Sequence, residues 1–140
     1  MLTKNAQEFR NFLINQGINL DFVELDDGDT VVEIRESLEC GVNFRMVVVF
    51  SSDDSMVGVY GLDFIQGINP MKKSYVYEAI NELNSKYTYY KYIVDKEKIV
   101  LQSFALFNDN FDSNIVMKII MGMMNLVNND YSGLMKIIWS

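Results

Sequence analysis

Hydrophobic and polar residues recur along this chain with two different periods, and the changes of period divide it into nine elements. Ala6, Phe9 and Leu13 recur at helical spacing ahead of Gly17, a residue type that suits the position after a last helical turn. After Gly17 the period shortens to two, which is typical of strands with one buried face. The predicted elements are a helix at 4–16, a hairpin with arms around 20–22 and 32–40, strands at 42–50 and 56–62, a helix opened by Asn69 and Pro70, strands at 87–94 and 99–107, and a long closing helix capped by Asp112 or Ser113.

The order α-β-β-β-β-α-β-β-α indicates an α+β fold. Antiparallel strands with helices before, between and after them pack as two layers, with the helices on one face of the sheet. The strand at 42–50 carries Val47 and Val49 on the face that is usually polar, so it is apolar on both faces and is expected in the middle of the sheet. We therefore predict one two-layer domain over residues 1–140, with an antiparallel sheet of five to six strands.

Composition and charge narrow the function classes. The chain has 140 residues, of which 49% are hydrophobic and 22% charged, so it can bury a sizeable core and is typical of ordered globular domains. The formal net charge of -7 opposes binding to nucleic acid, because phosphates would repel the chain at each encounter. The lone Cys40 and the absence of a signal segment in MLTKNAQEFRNFLINQG favour a cytoplasmic protein, and no apolar run is long enough to span a membrane.

Patterns for catalysis and metal binding are lacking. The sequence has no His, which removes the commonest general base near neutral pH and every His-based zinc site. The run NDNFDSN at 108–114 resembles a calcium loop, but its sixth position is Ser113 where an EF-hand needs Gly, so a helix-entry loop explains it better. No glycine motif for nucleotide phosphates occurs. We expect no catalytic residues, no metal site and no cofactor, and predict that the chain is not an enzyme.

Two further groups of side chains are predicted to belong to the core. Tyr87, Tyr89, Tyr90 and Tyr92 could stack on single-stranded nucleic acid, but such platforms lie in basic grooves, so aromatic packing between neighbouring strands is the better interpretation. Exposed tyrosine at a protein-binding surface is a third interpretation. Cys40 lacks a His to act as its base, and it is predicted to be a small core residue on a strand face.

The closing helix carries more apolar surface than packing on a sheet requires. On a wheel at about 100° per residue, one sector is sufficient for the sheet, while Met117, Met121 and Met124 follow each other on a flank. One explanation is that the first helix or the tail at 131–139 folds over this methionine flank and completes a monomeric core. The other is a subunit or client interface, because flexible, polarisable Met side chains suit surfaces that accept varied partners. The residues predicted to bind a partner are Met117, Met121, Met124 and Trp139.

A family resemblance bears on both fold and function. The second helix runs as AINELNSKY into the strand pair YTYYKYIVDKEKIVLQSFAL, and a long helix closes the chain. This arrangement resembles the YbjN-like family, bacterial domains described as sensory transduction regulators, whose fold is similar to that of the type III secretion chaperones. The resemblance implies a non-enzymatic domain, chaperone-like or regulatory, that binds a protein or peptide and can form a homodimer. The acidic surface would suit a basic or partly unfolded client.

A second hypothesis is a small-molecule-binding sensory or regulatory domain. It places an apolar ligand between the sheet and the helices, in a pocket lined by Phe44, Phe64, Tyr92 and Met123. A fully packed interior at these four positions would count against this hypothesis.

Overall fold

The computed structural model describes residues 1–139, and its elements follow the predicted order. Within these residues, three α-helices accompany one antiparallel sheet of six strands, so the fold class is α+β. The helices are α1 (Lys4–Asn15), α2 (Lys73–Lys86) and α3 (Ser113–Trp139), with a 3-10 turn at Pro70–Lys72 ahead of α2. The strands are β1 (Phe22–Glu24), β2 (Thr30–Ser37), β3 (Asn43–Phe50), β4 (Met56–Ile65), β5 (Lys91–Asp95) and β6 (Lys98–Leu106).

The strands lie side by side in the order β1-β2-β3-β4-β6-β5, and every neighbouring pair is antiparallel. β3 pairs with β2 on one side and with β4 on the other, which confirms that this strand is central. β1 has three residues and β5 has five, so both edges of the sheet are short. β5 begins at Lys91 rather than at residue 87, because residues 87–90 form a bent segment whose tyrosines bond to α3.

The helices and the sheet share one hydrophobic core. Phe9 of α1 lies against Phe50 of β3, with ring centroids 5.7 Å apart. Gly61 of β4 lies where α3 crosses the sheet, since a Cβ at this position would come within 2.5 Å of the Phe44 ring and 3.2 Å of the Met123 sulfur. Each fully buried side chain of this size contributes about 1.5–3 kcal/mol by leaving water. Gly61 is needed at this point because β4 and α3 approach each other too closely there for a side chain.

Side-chain caps fix where α1 and α3 begin. Thr3 Oγ1 accepts a hydrogen bond of 3.2 Å from the first turn of α1, and Asp112 Oδ1 accepts one of 2.9 Å ahead of α3. Asn69 Oδ1 accepts a bond of 3.0 Å at the 3-10 turn, whereas α2 itself begins without a side-chain cap. Asn5 does not cap α1. Its backbone and side-chain N–H groups instead donate to Asp54, each at 3.0 Å, and tie α1 to the turn between β3 and β4.

α3 is one continuous helix of 27 residues, about 40 Å long at about 1.5 Å per residue. The residues at 131–139 extend α3, so the alternative in which this tail, rather than the first helix, folds over the methionine flank is wrong. The physical reason is that Val127, Leu134 and Ile138 keep the helical spacing of one buried face, and the sheet-facing stripe therefore runs on past residue 130. None of the helices within residues 1–139 combines the length and the apolar character needed to cross a bilayer.

Candidate functional site

The helices pack on one face of the sheet, and we name the opposite face the open face. β3 displays the two faces directly. Its alternate residues from Phe44 to Phe50 are fully buried, whereas Arg45, Val47 and Val49 between them are partly exposed. Successive side chains of a strand point to opposite faces, so the register of the sheet identifies which residues of the other strands share the open face.

An apolar row crosses the open face from β1 to β6. The register places one residue from each of five adjacent strands side by side, namely Val23, Val31, Val49, Gly58 and Phe104. The two ends of this row are the most exposed, with Val23 at 52% and Phe104 at 44%. A contiguous exposed apolar surface with polar surroundings is typical of a protein-binding site.

The apolar row continues toward the turn between β3 and β4. Met56 and Leu106 face each other in the next row, and the side chain of Leu106 is 80% exposed. On β5, Ile93 lies opposite Val100 and is 40% exposed. The exposed apolar surface therefore reaches both along β6 and across to the second edge strand.

An aromatic pair covers the row at Gly58. A Cβ at Gly58 would lie 3.1 Å from the Tyr60 ring and 3.2 Å from the Phe104 ring, so both rings fold over bare backbone. The rings meet edge to face, with centroids 5.7 Å apart and planes at 87°. This packing buries part of Tyr60 and raises the pKa of its hydroxyl. The Phe104 ring is thus already held in place on the open face.

Charged side chains at the other end of the open face neutralise each other. Arg45 donates from Nε to Glu33 and from Nη1 to Asp63 Oδ2 at 3.1 Å, and Arg35 Nη2 lies 3.1 Å from Glu33. The hydrogen bond from Arg45 lowers the pKa of Glu33, and the same bond raises the pKa of Arg45. Such exposed ion pairs contribute little to stability. Their effect is to give the apolar row a polar border without a net charge.

A groove of about 530 Å³ joins the two parts of the open face. It forms beside β1, because this strand ends after three residues and leaves most of β2 without an outer neighbour. Val23, Val31 and Val47 line its apolar side, and Glu33 and Arg45 line its polar side. The open face therefore includes a groove at the β1 edge.

The opposite edge of the sheet is closed by a side chain. Asn84 of α2 donates from Nδ2 to the Tyr92 carbonyl at 3.0 Å and accepts from the Tyr92 backbone N–H at 2.8 Å. Both backbone groups of Tyr92 are thereby used, as they would be by another strand. Lys91 adds to this closure, since its Nζ donates to the carbonyls of Asn84 and Tyr87 at 3.1 Å each. With the backbone groups of Tyr92 occupied, β5 offers fewer positions for pairing with another chain.

The structure does not bring the predicted partner-binding residues of α3 together. Met117 and Met124 are half-buried and pack against the core, whereas Met121 is 52% exposed and Trp139 69% exposed. Met121 and Trp139 are 18 positions apart in one helix, which is about 27 Å along its axis. Contact of these residues with a partner stays a prediction, and they do not form a continuous surface.

Hydrogen bonds from the tyrosine cluster join β5 and the segment before it to α3. The prediction that these tyrosines pack between neighbouring strands is wrong for Tyr87, Tyr89 and Tyr90, which precede β5. Tyr87 Oη donates to both carboxylate oxygens of Asp130, at 3.0 and 2.9 Å, and Tyr92 Oη donates to one of them at 2.7 Å. Burial and the hydrogen bond to Asp130 raise the pKa of Tyr87 to about 12, and burial is also the main cause that raises the pKa of Tyr92. Tyr89 is exposed, at 78%, and Ser103 donates to its carbonyl.

Tyr90 docks on α3 at its first glycine. Its hydroxyl donates to the Ile119 carbonyl at 3.0 Å, and a Cβ at Gly122 would lie 2.1 Å from that hydroxyl oxygen. Tyr90 therefore packs directly against Gly122, where a side chain would leave no room for its hydroxyl. This contact explains why an apolar helix has a glycine in its interior.

The positions proposed for a ligand pocket are filled by their own side chains. Phe44 and Phe64 meet edge to face with centroids 5.5 Å apart, and Phe64 lies 6.3 Å from the Tyr92 ring. All three residues and Met123 are buried. This packing counts against an apolar ligand at these four positions.

Cys40 is not on a strand, so that part of its prediction is wrong. β2 ends at Ser37, and Cys40 lies in the following turn, half-buried against the core. Its backbone N–H donates to Asn128 Oδ1 of α3 at 3.1 Å. The strand pairing stops early because Gly41 adopts a φ of +94° and closes a turn there.

Residues 108–112 form a helix-entry loop, as the spacing of the run 108–114 indicates, and residues 113–114 begin α3. Asn110 Oδ1 accepts from the Asn108 backbone N–H at 2.8 Å, and Asp112 caps α3. Among residues 1–139, no three His, Cys, Asp or Glu side chains converge closely enough to hold a metal ion.

Comparison with known proteins gives no match: no protein-family model, no curated protein and no solved structure matches this chain. The YbjN-like resemblance therefore stays a prediction, and the open face has to indicate function by its own chemistry. Sequence reasoning missed this surface, although Val47 and Val49 carried its signal. Their apolar character indicates a central strand, which is correct, but none of the helices within residues 1–139 covers the side to which they point.

Proposed function

We propose that this chain is a protein-binding domain that acts through contact rather than catalysis, and that its contact surface is the open face. The observation that carries this proposal is the apolar row from Val23 to Phe104, extended by the exposed side chain of Leu106. Removing such surface from water contributes about 25 cal/mol per Å². A partner that covers the row gains this free energy, whereas a free chain leaves it unused.

The shape and chemistry of the open face support binding of a protein more than of a small molecule. Small-molecule sites are concave and enclose most of their ligand, whereas the apolar row is spread across five strands. The charged groups Arg45, Glu33 and Asp63 are paired with one another. With no His in the sequence, this surface offers little for acid–base catalysis.

The YbjN-like resemblance implies a protein or peptide client, and the proposed function is likewise the binding of a protein. The proposed contact lies elsewhere than on the methionine flank. Phe104 and Leu106 replace Met117 and Met124 as the residues expected to contact a partner, because the two methionines are half-buried against the core.

Capture of partners with two matched variants tests the proposal. Leu106→Glu places a charge on the open face and Met121→Glu places one on the exposed side of α3, and both side chains are more than half exposed, so the fold is expected to tolerate either change. A tagged chain is expressed in the organism that carries its gene. Proteins recovered with the wild type should be lost with Leu106→Glu and kept with Met121→Glu. Equal recovery with both variants would refute the proposal, and loss with Met121→Glu alone would place the contact on α3.

A further inference from the structure

We infer that a second copy of this chain covers the open face, with the two sheets packed face to face about a two-fold axis. This inference rests on the proposed function and names the partner of the same surface. Four observations support it: the area of the open face, its charge, the state of the sheet edges, and the symmetry of the apolar row.

The open face has the area that a stable dimer needs. The six strands contain about 43 residues, and each residue occupies about 16 Å² of sheet at about 3.4 Å along a strand and 4.8 Å between strands. The sheet therefore measures about 700 Å² in projection. Side-chain relief adds to this value and brings it close to the ~800 Å² that each partner buries in an interface of standard size.

Charge favours the open face as the meeting point of two copies. The chain carries a formal net charge of -7, so two copies repel each other through most of their surfaces. The register and the ion pairs place equal numbers of cationic and acidic side chains on the open face, while Lys91 turns around the edge toward α2. A basic client would be drawn to the acidic remainder instead of this neutral surface. The balanced residues of the open face are Arg35, Arg45, Lys98, Glu33, Asp63 and Asp95.

The edges of the sheet offer little competition for a second copy. Asn84 occupies the outward-facing backbone groups of Tyr92 on β5. At the other edge, β1 covers three residues of β2, and the uncovered residues 33–37 carry the charged side chains of Glu33, Arg35 and Glu36, which oppose strand addition. Association through the face is therefore favoured over strand addition.

The apolar row is suited to contact with itself. A two-fold axis through Val49, the middle of the five positions, would lay Phe104 over Val23 of the second copy and Val31 over Gly58. Contacts in such an interface occur twice, once from each copy. Apolar residues of the row would then meet apolar residues of the second copy.

Sedimentation equilibrium of the purified full-length chain tests this inference. The wild type should approach twice the 16.2 kDa of one chain as its concentration rises. Leu106→Glu and Val23→Glu, at opposite ends of the open face, should each weaken dimerisation at least about tenfold, which corresponds to about 1.4 kcal/mol. Tyr77→Glu, a change at an exposed position of α2, is the control and should leave the dissociation constant unchanged. Far-UV circular dichroism of every variant verifies that the chains compared are folded.

The dependence of dimerisation on ionic strength provides an independent test. Because the surfaces outside the interface repel each other, raising salt from about 0.05 M to about 0.5 M should tighten the dimer. A wild type that stays a monomer would refute the second copy, and so would a dimer that both open-face variants leave intact or that salt dissociates. The capture experiment judges the proposed function separately. If the wild type is a monomer but Leu106→Glu loses another captured protein, contact at the open face is upheld and only the second copy is refuted.

Discussion

Replacing Gly122 by Ala should destabilise this protein, although the same change elsewhere in α3 should stabilise it. Alanine is favoured over glycine in a helix by about 1 kcal/mol. At Gly133 nothing lies within 4 Å of a new Cβ, so Gly133→Ala should gain that amount in full. At Gly122 the new Cβ would lie 2.1 Å from the Tyr90 hydroxyl and 3.0 Å from the ring carbon that bears it.

The cost at Gly122 has two parts. Displacing Tyr90 breaks its 3.0 Å hydrogen bond to the Ile119 carbonyl, worth about 1 kcal/mol, and crowding in a packed region costs about 1–3 kcal/mol. After the helix gain is subtracted, Gly122→Ala should lower the free energy of unfolding by about 2 kcal/mol. The two alanine variants should therefore differ by about 3 kcal/mol.

Urea unfolding followed by circular dichroism measures this difference through the midpoint at constant slope. The Tyr90→Phe background is the decisive comparison, because it removes the hydroxyl and should return more than half of the Gly122→Ala penalty. The contact assigned between Tyr90 and Gly122 is wrong if Gly122→Ala and Gly133→Ala are equally stable. It is also wrong if Gly122→Ala lowers the free energy of unfolding by the same amount in the Tyr90→Phe background.

Two further predictions concern the β5 edge and its anchor on α3. Asn84→Ala removes both side-chain bonds to the Tyr92 backbone and should cost about 1–3 kcal/mol in urea unfolding, whereas Asn81→Ala, an exposed change in the same helix, should cost less than about 0.5 kcal/mol. Light scattering should also show that Asn84→Ala aggregates, because the edge is opened; scattering equal to that of Asn81→Ala would contradict this. The free energy of unfolding should fall as pH rises above about 10, where the unfolded chain loses tyrosine protons, and through about 12, where the pKa of folded Tyr87 lies. Urea unfolding at about pH 9 and about pH 11 should show a smaller fall for Tyr87→Phe than for the wild type; equal falls would contradict the raised pKa of Tyr87.

The order of elements could be predicted from the sequence because each element is local. Periods of two and near four, with Gly17 and Pro70 as boundaries, are properties of short segments and need no knowledge of distant contacts. The central position of β3 followed in the same way from Val47 and Val49. The continuation of α3 through residues 131–139 was not predicted, although Leu134 and Ile138 follow Val127 at the spacing of one helix face.

The candidate site depends on contacts that no short segment contains. Tyr87 bonds to Asp130, 43 positions later, and Tyr90 bonds to Ile119, 29 positions later, so alternation in the run 87–92 gave the wrong role to these side chains. The open face arises from strand order. Phe104 lies beside Gly58 because β6 pairs with β4, and that pairing skips β5.

Hydroxyl-radical footprinting tests the central claim most directly, because it measures the exposure of named side chains with and without a bound partner. Met56, Phe104 and Leu106 report on the open face, and Met121 and Trp139 report on α3; all five are at least about a third exposed in the free chain. In the bound state, with a second copy or with another captured protein, oxidation of the first three should fall strongly while that of Met121 and Trp139 stays unchanged. Protection of Met121 and Trp139 with full oxidation of Met56, Phe104 and Leu106 would contradict the claim.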